Sequence, residues 1–127
     1  MPETMTEHPN ATMARKLWAA MEGGDMQTVS DSLADDIVWH EIGSPEPKRG
    51  KAALAAGMTG GDAEIKATIH DVVANDEHVI ALADVTATRG GRNLNYRTAE
   101  IMHVKNGKIT ERWAFSDDTA AIASFFA

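Results

Sequence analysis

A chain of 127 residues with 43% hydrophobic and 24% charged side chains is long enough for one core and too short for two ordinary domains. A net charge of −7, with its 12 Lys and Arg residues scattered, lacks the electrostatic footprint of a phosphate-backbone binder, so nucleic acid is not an expected partner. The absence of cysteine removes disulfides, thiolate chemistry and thiol-rich zinc sites and is compatible with a reducing cytoplasm, the expected location.

From Met1 to Pro9 there is no apolar run, so this stretch is expected to be a mobile tail rather than a signal peptide or anchor, with a single domain over 10–127. Asn10 is a helix-cap candidate, followed by Met13, Leu17, Ala20 and Met21 at helical spacing until Gly23-Gly24. Asp25 caps a second helix bearing Met26, Val29 and Leu33, and a first strand is expected over Ile37–Ile42, ended by Ser44, Pro45 and Pro47. A short alanine-rich helix runs from Lys51 to about Met58 and stops at Gly60-Gly61.

The period then changes to two. Strands are expected around Ile65–Ile69, Val79–Thr88, Asn93–Val104 and Lys108–Ser116, joined by Asn75-Asp76-Glu77, Arg89-Gly90-Gly91-Arg92 and the strong hairpin signal Asn106-Gly107. A closing helical turn over Asp118–Phe126 completes the order ααβαββββ plus a short helix. Helices first and a curved, mostly antiparallel sheet after them make an α+β cone whose open end can hold a cavity. No stretch approaches the roughly 20 apolar residues of a membrane-spanning helix, so no membrane association is expected.

Three segments carry a family resemblance: Glu22-Gly23-Gly24-Asp25, Asp35–Gly50 (DDIVWHEIGSPEPKRG) and Gly107–Asp117 (GKITERWAFSD). With the element order they resemble the nuclear transport factor 2-like superfamily of ketosteroid isomerases, SnoaL-like polyketide cyclases, limonene epoxide hydrolases and scytalone dehydratases. The resemblance covers nearly the whole chain and implies a cone-shaped fold with a cofactor-free pocket. Matching the isomerase pattern implies a general base at Glu41 and an oxyanion-binding acid at Glu100, while the helical tyrosine of those enzymes falls on Leu17. The hydrolase aspartate of the last strand falls on Ala114, and the acid/base aspartate of SnoaL-like cyclases falls on Asp117. Pairing through the convex sheet face, common in the superfamily, implies a homodimer in which Trp113 and Phe115 take part.

Two carboxylic acids sharing an apolar cavity cannot both ionise cheaply, which yields one acid and one base suited to proton transfer beside a carbonyl. For each candidate a plainer role is open. Glu41 could end its strand in solvent, Glu100 could pair with Arg97 or Arg112, and Asp117 could cap the last helix beside Asp118. Strand parity turns Arg112, Ala114 and Ser116 towards the cavity and sets Trp39 on the face of Glu41, opposite His40, which remains an acid/base candidate through its titration range. Leu17, Trp39 and Met102 are expected to shape an apolar wall.

The five histidines have no metal-ligand spacing, and no phosphate loop, nucleophile elbow or dinucleotide fingerprint occurs, so neither metal nor nucleotide cofactor is implied. The sequence therefore points to a cofactor-independent proton-transfer enzyme acting on a small apolar carbonyl or polyketide-like compound. A non-catalytic ligand-binding or dimerisation module of the same fold is the alternative.

Overall fold

The computed structural model describes residues 7–59 and 63–127. Helix α1 (Pro9–Gly23) begins one residue before the expected cap, with proline in its first turn and the His8 side chain accepting from the Asn10 amide at 3.1 Å. Asn10 instead donates its side-chain amide to the carbonyls of Asn75 and Asp76, tying the start of α1 to a distant turn. Of the expected tail, residues 1–6 lie outside the described residues, whereas Glu7 already bonds Arg15 and Thr12. Gly24, at φ 76°, closes α1 in the left-handed conformation that glycine adopts without steric cost.

Helix α2 (Met26–Ser32), capped by Asp25 as expected, leads into β1 (Leu33–Trp39). This strand starts earlier and ends earlier than the sequence pattern indicated. Its pairing breaks between Leu33 and Val38, resumes at Val38 and Trp39, and ends after the His40 amide donates to the Arg112 carbonyl. Gly43, at φ 81°, then turns the chain, so Glu41 and Ile42 belong to a turn and not to a strand. A two-residue strand, β2 (Lys48–Arg49), was not foreseen; it pairs antiparallel with β1 and precedes α3 (Lys51–Thr59). The expected Gly60-Gly61 stop lies outside the described residues.

Strands β3 (Glu64–Ala74), β4 (His78–Arg89), β5 (Arg92–Lys105) and β6 (Lys108–Ser116) form the antiparallel run that the two-residue period required, and α4 (Thr119–Phe126) follows. The six-stranded sheet has the order β2-β1-β6-β5-β4-β3, with β1 parallel to β6 and every other pair antiparallel. The fold is α+β, with helices preceding a curved mixed sheet. Asn106 and Gly107 both take positive φ, which a tight turn between β5 and β6 demands.

Alternation decides which face is buried. On β4, Val79, Ala81, Ala83, Val85 and Ala87 point inward, while Ile80 and Leu82 lie on the outer face. The core joins α1, α2, β1 and α3 to one end of the concave sheet through Ala14, Leu17, Val29, Ile37, Leu54, Val79, Met102 and Ile109. Deleting most of the fully buried Leu17 side chain removes packing that no neighbour replaces. Leu17→Ala is expected to lower stability by about 2–5 kcal/mol in urea titration, because the cavity term adds to lost transfer energy.

Candidate functional site

Beyond the core end, α1, α4 and the concave sheet leave a cavity of about 720 Å³. Its apolar wall comes from Trp18 and Met21 of α1, Trp39 of β1, Ile65 and Ile69 of β3, Val85 of β4, and Ile122 and Phe126 of α4. Arg89 holds the end of α4 by donating to the carbonyls of Phe125 and Ala127 at 3.1 and 3.0 Å. Gly43 packs against Ala123, where a Cβ would stand 3.1 Å from the Ala123 Cβ, so the turn after β1 and α4 fit closely.

One strand supplies a row of polar groups to the cavity. Tyr96, Thr98 and Glu100 recur at two-residue spacing on β5 and all line it, with Arg112 of β6 beside them. Register places Arg112 opposite Met102 and Glu100 opposite Ala114, so Arg112 and Glu100 are diagonal neighbours. Arg112 donates from Nε and Nη2 to Glu100 Oε1 at 3.1 and 3.0 Å, and from Nη1 to the His40 carbonyl at 2.9 Å. Its guanidinium carbon also lies 4.5 Å from the centre of the Trp39 ring. Among the described residues no hydrogen bond engages Glu100 Oε2, although Glu100 is only 8% exposed.

Glu41 also lines the cavity, but it is exposed in the turn after β1 and forms an ion pair with Lys48. Each of these two carboxylates therefore has its own counter-charge, Lys48 for Glu41 and Arg112 for Glu100.

Several other expectations are corrected by depth and direction. Leu17 and Met102 are fully buried in the core behind the cavity and form no part of its wall. Ala114 faces Glu100 across the strands without lining the cavity, and the Ser116 hydroxyl accepts from the Asp118 amide, serving the start of α4. Asp117 lies outside the main cavity and accepts from the Arg97 amide at 3.0 Å, whereas Asp118 is the helix cap. His40 bonds Glu111 at 2.8 Å and stacks on Trp113 with ring centres 5.3 Å apart, so its ring takes no place in the cavity wall. Among the described residues no three His, Asp or Glu side chains are arranged to hold a metal ion.

Sequence reasoning missed Tyr96 and Thr98. The parity that places Glu100 inward would have found both. Burial, then the charge of Glu100, raises the Tyr96 pKa above the ordinary phenol value, with Arg112 partly offsetting it. The Thr98 hydroxyl is buried without a hydrogen-bond partner among the described residues.

Residues 14–112 match the SnoaL-like domain family, and the chain belongs to that family. An uncharacterized protein of Mycobacterium tuberculosis is 29% identical over 136 aligned positions, covering 97% of this chain and all of its own length. Bal32a, from a soil-derived mobile gene cassette, superposes with a TM-score of 0.83 at 28% identity, covering 94% of this chain and 97% of its own. IdmH, a putative polyketide cyclase from Streptomyces antibioticus, shares the fold with a TM-score of 0.73 at 21% identity, covering 94% of this chain and 100% of its own.

The two ion pairs differ in what their loss exposes. Arg112→Met leaves a nearly buried carboxylate unpaired and is expected to cost about 3–5 kcal/mol in chemical denaturation. Lys48→Ala removes the partner of an exposed carboxylate and is expected to cost about 1 kcal/mol or less.

Proposed function

From this family membership we propose that the protein is a cofactor-independent enzyme that moves a proton on a small, largely apolar carbonyl or polyketide-like compound held in the cavity. The observation that carries the reading is the state of Glu100. One oxygen is fixed by two bonds from Arg112, the other has no hydrogen bond among the described residues, and Glu100 lines a mostly apolar cavity. A carboxylate so oriented has lost little freedom to lose again on reaction, which suits it to accept a proton from a carbon beside a carbonyl. Glu100 thus takes the base role, and Glu41 with Lys48 forms part of the cavity rim. Isomerisation, ring closure and elimination all begin with that step. The putative cyclase among its structural relatives fits this class, at the level of fold.

A second reading has a specific observation behind it. Glu41 and Glu100 are each paired with a cation, as a plain binding module would have them. The two readings separate on exchange of the α-hydrogens of α-tetralone and isophorone in D₂O, followed by NMR. The enzyme reading expects exchange that Glu100→Gln slows by about 10²–10⁴-fold. Ligand binding by calorimetry with no protein-dependent exchange would leave the binding module in its place.

The reading also includes a cytoplasmic homodimer. Leu82, Ala99 and Phe115 are cross-strand neighbours on the outer sheet face, as are Ile80, Ile101 and Trp113, and Phe115 is 59% exposed. Two such apolar rows favour self-association over solvent. Light scattering at micromolar concentration is expected to give twice the 13.7 kDa chain mass, reduced to one chain by Phe115→Glu. A single-chain mass for the unaltered protein would refute the dimer.

A further inference from the structure

Tyr96 is the one tyrosine of the chain, and its place in the fold is unlike that of a packing residue. It stands four residues before Glu100 on the same face of β5, lines the same cavity, and has no hydrogen bond to its phenol among the described residues. A phenol that lines a cavity and bonds no described protein group keeps its proton for whatever occupies that cavity. Tyr96 shares the cavity wall with Glu100 and Arg112, whose charges act on its phenol in opposite directions. Among the described residues, Arg15, Glu22 and Glu41 are the other charged groups that line the cavity.

We propose that Tyr96 is the proton donor of the site, giving its phenol proton to the carbonyl oxygen of the substrate while Glu100 Oε2 takes the α-proton. This rests on the proton-transfer reading and adds the substrate feature it selects, a carbonyl whose α-carbon reaches Glu100 when its oxygen reaches Tyr96. The step balances. The C–H bond breaks towards Glu100, its electron pair forms the C=C bond, and the carbonyl π pair moves to oxygen, which takes the phenol proton. An enol, a protonated Glu100 and a Tyr96 phenolate result. Return of the Glu100 proton to the same carbon or to a conjugated one, and of the enol proton to the phenolate, restores both side chains. Of the two charges that act on the phenol, that of Arg112 favours the phenolate, and protonation of Glu100 in the same step removes the one that opposes it.

Two measurements test the assignment. In the D₂O exchange of α-tetralone and isophorone, Tyr96→Phe is expected to lower kcat by about 10²–10³-fold with KM little changed, the signature of a donor that acts mainly in the transition state. Because the chain has one tyrosine, tyrosinate absorbance against pH reports Tyr96 alone. Its midpoint is expected above the ordinary 10.0, and Glu100→Gln should move it down by removing the charge that raises it. Exchange by the unaltered protein that Tyr96→Phe leaves undiminished would overturn the donor role and leave Glu100 as base. A tyrosinate midpoint insensitive to Glu100→Gln would likewise refute the pairing. Absence of exchange from the unaltered protein would remove the proton-transfer reading and, with it, this one.

Discussion

Everything at the polar side of the cavity hangs on the guanidinium of Arg112. It reaches Glu100 on β5 and the His40 carbonyl just past β1, and lies over Trp39, so three neighbouring strands meet at one side chain. A lysine could not do this, because its single ammonium lacks the planar fork and the flat face that stacks on an indole. Such a buried ion pair is a weak source of stability, since desolvating both charges offsets most of their attraction. Its consequence is geometric: Glu100 is held with one oxygen engaged and one available.

The rest of the cavity follows from that placement. Glu100, Thr98 and Tyr96 form a polar line on β5, Arg15, Glu22 and Glu41 add charged groups, and Trp39, the isoleucines of β3 and the residues of α4 supply the apolar wall. In such surroundings a ligand oxygen has few partners, and those few fix its orientation. The outer face has a different chemistry. There Trp113 stacks with His40 and meets the edge of His103, which in turn meets His78, beside the apolar rows of β4, β5 and β6.

Elements whose signals are local were legible in the sequence. Asn106-Gly107, the alternation of β4, the Asp25 cap and the inward parity of Arg112 each follow from short-range backbone rules, and the structure has them. What was not legible depends on tertiary pairing. Nothing near Trp39 announces that β1 ends there; the end is set by where β6 and β2 stop pairing with it, which moves Glu41 from a strand to a turn. Parity gives a face and not a depth. Met102 and Ala114 share a sheet face with Arg112 and Glu100, yet Met102, like Leu17, falls at the core end of the cone, and Arg112 and Glu100 line the cavity while Ala114 does not. Tyr96 follows from the same alternation that locates Glu100, but no family motif marks it.

The most direct test of the central claim is a crystal structure with α-tetralone bound. The account predicts the ketone oxygen within hydrogen-bonding distance of the Tyr96 phenol and the α-carbon within about 3.5 Å of Glu100 Oε2. A ketone seated with its oxygen towards the rim at Glu41 and Lys48, and only ring carbons against Tyr96 and Glu100, would contradict it.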